Sequence, residues 1–270
     1  MVNSKEILYA CKEGDIEKVR LILSDTSINP SIYDTVEDIG IVNALHISSF
    51  LNHVKIMELL LEDGRIDPSV TGCLTTLGNL CSLNISSRLG HVEIVKLLLK
   101  DGRSDPNKIE GYPRQSPITW AFFYNNEEVI KVLISDPRVD INAPDDFSYD
   151  CLCYCCVYNN YELAEMILTN PKFDKAKCNY LSLYKSYSEA CSNKSIDIIK
   201  LLIVFIDNYK FVKDCTYIEK YGDVVVNVMN TFKGSDEYNR MKHKYFKDQF
   251  ASDIFYHIVM LSDNYLEIRD

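Results

Sequence analysis

The feature that most constrains this chain is a short amphipathic segment that returns at nearly constant intervals. It reads Asp15-Ile16-Glu17-Lys18-Val19-Arg20-Leu21-Ile22-Leu23, then His53-Val54-Lys55-Ile56-Met57-Glu58-Leu59-Leu60-Leu61, then His91-Val92-Glu93-Ile94-Val95-Lys96-Leu97-Leu98-Leu99. Weaker copies start at Asn126, Asn160 and Ser195, so successive starts lie 38, 38, 35, 34 and 35 residues apart. A period of that length holds one pair of helices and a connector, and a lone pair cannot bury its own apolar stripe. Six such units stacked side by side are therefore expected over residues 1–206, with one core running through the stack.

Local chemistry agrees with two helices per unit. The residue before each second helix is Gly14, Asn52, Gly90, Asn125, Asn159 or Lys194. A tight helix–helix turn needs one residue in the left-handed region, where Gly is unpenalised and Asn tolerated best among the rest. Lys194 departs from that rule, which makes the sixth unit the least regular. Second helices stop at Asp63-Gly64-Arg65-Ile66-Asp67-Pro68, Asp101-Gly102-Arg103-Ser104-Asp105-Pro106 and Asp136-Pro137-Arg138-Val139-Asp140, where Gly and Pro act as helix breakers. Two adjacent positions of each first helix stay small: Ala10-Cys11, Ser48-Ser49, Ser86-Ser87, Cys155-Cys156 and Ala190-Cys191. Small side chains there let neighbouring helices approach closely. Ala121-Phe122 breaks the pattern and implies local repacking.

These residues resemble a known family. Asn43-Ala44-Leu45-His46-Ile47-Ser48-Ser49 and Ser116-Pro117-Ile118-Thr119-Trp120-Ala121 look like the Thr-Pro-Leu-His-x-Ala-Ala signature of ankyrin repeats, and residues 89–99 look like the second-helix signature. The recurring Gly-Arg-x-Asp-Pro connector, in a chain rich in Asn, Lys, Ile and Tyr, is similar to divergent ankyrin arrays of large DNA viruses and protists. The resemblance implies an all-α, ankyrin-like solenoid of stacked helix pairs, in which His46 braces a connector by hydrogen bonding. It also implies that a partner is gripped by connector tips and by the residues ending each first helix. Carried onto this chain, the helix-end positions include Phe50, Leu51, Arg88, Leu89, Phe123, Tyr124 and Tyr158. The connector positions are Ile39, Val42, Leu77, Leu80, Tyr112, Phe147, Tyr149, Leu181 and Tyr184. The expected binding set is Phe50, Leu51, Leu89, Tyr112, Phe123, Tyr124, Phe147, Tyr149, Tyr158 and Tyr184. An apolar stripe at positions that would ordinarily be charged marks a binding face, with aromatic anchors densest in units four and five.

Residues 207–270 do not continue the repeat. Phe246, Phe250, Ile254, Ile258 and Leu261 recur at helical spacing, so a helical C-terminal cap is expected to cover the end of the stack. Some viral ankyrin proteins use a C-terminal segment to recruit the ubiquitin machinery; no Leu-Pro opening of that kind stands here, so an effector that links a captured protein to that machinery through residues 207–270 is the runner-up reading.

Charge and motifs exclude several other functions. A formal charge of −10 opposes phosphate-backbone binding, so no nucleic-acid partner is expected. The short basic run Arg240, Lys242, His243, Lys244 and Lys247 reads as a solvated helix face. The longest apolar run, residues 201–206, is too short for a bilayer, and the chain opens without an apolar signal segment, so a cytoplasmic protein is expected. Cys151, Cys153, Cys155 and Cys156 could in principle hold zinc. On a helix, however, Cys151 and Cys155 share a face that Cys153 does not, and Cys155-Cys156 fall in the small-residue columns. With no phosphate-cradling glycine loop, nucleophile elbow or zinc-binding His pair, no enzyme, cofactor or small-molecule substrate is expected. The reading is a monomeric, non-catalytic adaptor, scaffold or decoy that binds a protein on its concave face.

Overall fold

The computed structural model describes residues 4–177, 180–206, 228 and 231–245. The chain divides into two units, Met1–Tyr158 and Asn159–Asp270.

The first unit holds the helix pairs α1 (Glu6–Glu13) and α2 (Ile16–Ser24), α3 (Ala44–Phe50) and α4 (Val54–Asp63), α5 (Ser82–Leu89) and α6 (Val92–Asp101), and α7 (Pro117–Phe123) and α8 (Glu127–Ser135). It ends with α9 (Cys151–Val157). First helices pack in the series α1, α3, α5, α7, α9, and second helices in the series α2, α4, α6, α8. The small-residue columns lie between successive first helices: Ala10, Cys11, Ser48, Ser49, Ser86, Ser87, Ala121, Cys155 and Cys156 are all buried. Phe122 is buried too, and the predicted repacking is a stack on Tyr154, 6.0 Å between ring centres at 19°.

All six turn residues take the left-handed conformation, from Gly14 (φ 74°) and Gly90 (φ 77°) to Asn52, Asn125 and Asn159 (φ 52–58°). Lys194 does the same at φ 56°, so the geometry of the turn persists where its favoured residue types do not. Tertiary packing on both sides of the turn overrides the local cost of a side chain at positive φ.

Three arginines join consecutive repeats. Arg65 donates to the carbonyls of Leu23 and Ile28, each at 2.8 Å. Arg103 donates to Leu61, Gly64 and Ile66, and Arg138 to Leu99 and Gly102. Each is held flat by the aspartate two residues earlier, Asp63, Asp101 or Asp136, at 2.7 Å. The cation thus satisfies the free carbonyls that end the preceding repeat's second helix, where the helix dipole also favours positive charge. The connector motif is therefore more than a helix stop.

The all-α expectation is corrected by a four-stranded antiparallel sheet in order β1-β2-β3-β4. Strands β1 (Asp34–Val36) and β2 (Gly40–Val42) form the first connector, and β3 (Thr71–Leu74) and β4 (Gly78–Cys81) the second. The two hairpins join through Gly40 opposite Leu74 and Ile41 opposite Cys73. Gly40 permits that join: a Cβ there would lie 2.1 Å from the Cys73 carbonyl oxygen. The runs 34–42 and 71–81 carry β-branched and apolar residues around a turn, a strand signal that the helical period hides. Ile39, Val42 and Leu80, expected on an exposed stripe, are corrected as well. They are buried, since alternate residues of a hairpin lying on the helices face inward. The third connector has only the isolated bridge Glu110–Gln115.

In the second unit, α12 (Ile196–Ile206) packs against α10 (Tyr161–Thr169), α11 (Tyr180–Ser192) and α13 (Asp236–Tyr245). Ion pairs Lys200–Glu237 (2.8 Å) and Lys244–Glu165 (2.6 Å) fasten α13, and the Phe205 and Tyr245 rings meet at 4.8 Å. Lys244 therefore has a structural role inside the basic run. Tyr184, expected on a connector, lies within α11, because residues 180–192 contain no Gly or Pro to delay the helix. The cap residues Phe246, Phe250, Ile254, Ile258 and Leu261 lie outside the described residues, as do residues 207–227, which follow the expected boundary at 206. No described helix is long and apolar enough to cross a membrane.

Candidate protein-binding face

The ends of α7 and α9 and the fourth connector form one aromatic cluster. On α7, Trp120 stands three and four residues before Phe123 and Tyr124, the spacing that places side chains on one helix face. The Trp120 ring is buried and stacks with Tyr124 at 6.0 Å, meets Phe123 edge-on at 6.2 Å, and leaves Phe123 and Tyr124 5.3 Å apart. From α9, buried Tyr154 approaches Phe123 at 6.4 Å, and one turn later the Tyr158 hydroxyl donates to the Phe123 carbonyl at 2.7 Å. Tyr149 reaches Tyr154 from the connector at 5.5 Å. Phe123, Tyr124 and Tyr158 remain 37%, 44% and 39% exposed, so each ring is gripped from below and open above.

One carboxylate organises the connector beneath this cluster. Asp145 is nearly buried; its Oδ1 accepts from the backbone N–H groups of Phe147 and Tyr149, both at 2.9 Å. Its Oδ2 accepts from Gln115 Nε2 at 2.9 Å and the Tyr154 hydroxyl at 2.7 Å. Burial, with that bond to Asp145, raises the Tyr154 phenol far above its ordinary value, so the ring stays neutral and fixed. Phe147 projects from the same connector, half exposed.

A second polar network anchors the third connector. Glu110 pairs with Lys108 at 2.7 Å and accepts from Thr71 Oγ1, the Cys81 backbone N–H (2.6 Å) and Asn84 (3.1 Å). Burial alone would raise the Glu110 carboxyl, but these hydrogen bonds outweigh it and hold the group below its ordinary value. Beyond this anchor Tyr112 stands 94% exposed. Under the sheet, His46 Nδ1 accepts from the Asn43 N–H at 3.2 Å and Nε2 pairs with the Val70 carbonyl at 3.1 Å, the connector brace that the resemblance implied. His53 and His91 occupy the N-cap positions of α4 and α6 without a side-chain capping bond, and His91 Nδ1 pairs with the Ser49 carbonyl at 2.8 Å.

Of the expected binding residues, the structure brings together Phe123, Tyr124, Tyr149 and Tyr158. Phe50, Leu51 and Leu89 sit half-buried at the ends of α3 and α5, and Tyr112 and Phe147 occupy connector tips. The side chain of Tyr184 lies outside the described residues. The pattern of exposed positions did not single out Trp120, Tyr154 and Asp145; the signals available were aromatic spacing along α7 and α9 and an Asp before a Ser-Tyr turn.

Cys151, Cys153, Cys155 and Cys156 are all buried in α9. Burial raises the thiols of Cys151 and Cys155 well above their ordinary value, which disfavours the thiolate needed by a nucleophile or metal ligand. Among the described residues no group of three or more His, Cys, Asp and Glu side chains is placed to hold a metal ion.

Curated proteins offer no match to the chain. A family model for ankyrin repeats (3 copies) matches residues 7–110 and 83–180. Ankyrin repeats are in general protein–protein interaction modules and not enzymes. The two matches together span well over half of the sequence and agree with the stacked helix pairs and left-handed turns, and the chain belongs to the ankyrin repeat family.

Proposed function

We propose that this protein is a non-catalytic adaptor, scaffold or decoy that captures a protein partner on the concave face of its repeat stack, centred on Phe123, Tyr124 and Tyr158. The observation that carries the proposal is the construction of that cluster. Of the three half-exposed rings, Tyr124 stacks on buried Trp120, Phe123 meets buried Tyr154, and Tyr158 is tied by its hydroxyl to the Phe123 carbonyl, so their ordering cost is met before any partner arrives. Aromatic anchors that are rigid and partly desolvated dominate the energetics of interfaces. The reading includes a monomer in the reducing cytoplasm. It assigns no role to nucleic acid, a membrane, a cofactor or a small-molecule substrate.

The test is affinity capture from the native cell with wild type and with Tyr124→Ala/Tyr158→Ala. Loss of an anchor at an interface centre costs about 2 kcal/mol or more, so the double variant should lose its partner. Its thermal midpoint should fall only slightly, whereas Lys12→Ala, far from the cluster, should bind normally. A double variant that captures the partner as well as wild type, or that loses it only by unfolding, refutes the proposal.

A further inference from the structure

The cation–π slot of this cluster is already filled from within. Arg88, at the end of α5, lays its guanidinium 4.6 Å from the centre of the Trp120 ring and 5.1 Å from that of Tyr124. It spends one hydrogen bond on the Leu77 carbonyl, at 3.1 Å. A guanidinium carries five N–H donors in a flat fork, and among the described residues the Leu77 carbonyl is the one acceptor placed on it.

Its ionic environment is unusual for this chain. In residues 4–158 most cations are paired: Lys5, Lys12, Lys18, Lys55, Arg65, Lys96, Arg103, Lys108, Lys131 and Arg138 each have a carboxylate partner. Among the described residues of that unit, Arg20, Arg88, Lys100 and Arg114 have none. Arg20, Lys100 and Arg114 are exposed, where solvent and salt screen a charge, whereas Arg88 is half-buried against aromatic faces. In a protein of net charge −10, none of the described acidic side chains pairs with Arg88. Stacking orients the fork and strips part of its hydration, the condition under which an arginine–carboxylate pair is strongest.

We propose that Arg88 is the receptor for a carboxylate of the bound partner, so that the captured segment presents an Asp or Glu beside an apolar residue. The apolar residue packs on Phe123, Tyr124 and Tyr158, and the carboxylate takes the open edge of the guanidinium. The inference rests on the docking face proposed above.

The probe is a random dodecapeptide library displayed on phage, selected against the full chain. Peptides competent for this face are those lost on Tyr124→Ala/Tyr158→Ala. Among them Asp or Glu next to an apolar residue should be enriched, and the same selection on Arg88→Gln should lose the acid while keeping the apolar residue. For one selected peptide, Arg88→Gln or exchange of its Glu for Gln should each weaken binding about tenfold, and the two together no more than either alone. Arg88→Lys, which keeps charge without the flat fork, should retain the acid preference at reduced affinity, and it carries the test if Arg88→Gln unfolds. Competent peptides without acid enrichment, or additive losses in the cycle, overturn the carboxylate assignment and leave the docking face standing. A library yielding no peptide lost on Tyr124→Ala/Tyr158→Ala overturns both.

Discussion

His46 should make this protein lose stability in mildly acidic solution, well before its carboxylates protonate. The ring is fully buried, and its two bonds assign the proton to Nε2: Nδ1 accepts from the Asn43 N–H, and Nε2–H donates to Val70. A second proton on Nδ1 would face the Asn43 donor at a fully buried position. Burial accordingly lowers the imidazole from 6.5 to about 4. Because the folded value lies below the unfolded one, the stabilisation is complete above about pH 6.5 and is lost as pH falls toward 4. At 1.36 kcal/mol per unit, the loss is about 2 kcal/mol at pH 5 and about 3 kcal/mol at its limit. Urea unfolding at half-unit steps from pH 7.5 to 4.5 would measure it, with His46→Gln as the non-titrating reference. The variant should be less stable at pH 7.5 and its stability much flatter down to pH 5. Glu110 contributes only lower down: its depressed value holds stability above the ordinary carboxylate range and releases it as pH falls below. Equal slopes for wild type and His46→Gln between pH 7 and 5 would refute the assignment of a buried, neutral ring.

Two further substitutions probe how the repeats are held. Arg103→Ala removes the bonds to Leu61, Gly64 and Ile66 and should cost about 1–2 kcal/mol in chemical unfolding, with Arg103→Lys recovering only part; no change would mean that the clip is incidental. Gly72→Ala would place a methyl 2.8 Å from the His46 ring, which its two bonds prevent from moving, and should lower stability by about 2 kcal/mol or more, as read by thermal unfolding; a neutral substitution would show that the ring gives way.

What the sequence made legible follows from what is periodic in it. Helix pairs, left-handed turns and small-residue columns repeat because every unit faces the same neighbour, so aligning the chain with itself exposes them. The hairpins escaped because their inward residues, such as Val42 and Leu80, are apolar at connector positions, where apolar residues also suit a binding stripe. Only the pairing of Ile41 with Cys73, 32 residues away, distinguishes a sheet residue from a surface one. At the candidate face, Tyr124 and Tyr158 were legible as helix ends, but their supports were not. Trp120 reads as part of the helix signature, and Asp145 acts through backbone bonds within its own loop and single bonds to Gln115 and Tyr154, which leave no periodic trace.

The arginine clips carry a consequence for how such a chain changes over generations. Arg65, Arg103 and Arg138 take their stabilising acceptors from main-chain carbonyls and their orienting aspartates from their own repeats. The hydrogen bonds that the three guanidinium groups make to the preceding repeat therefore do not depend on which side chains that repeat displays. A joint of that kind tolerates duplication, deletion or exchange of whole repeats, since any helix ending offers the same carbonyls. It also leaves the surface side chains of each repeat free to be rewritten toward a new target while the stack keeps its fit.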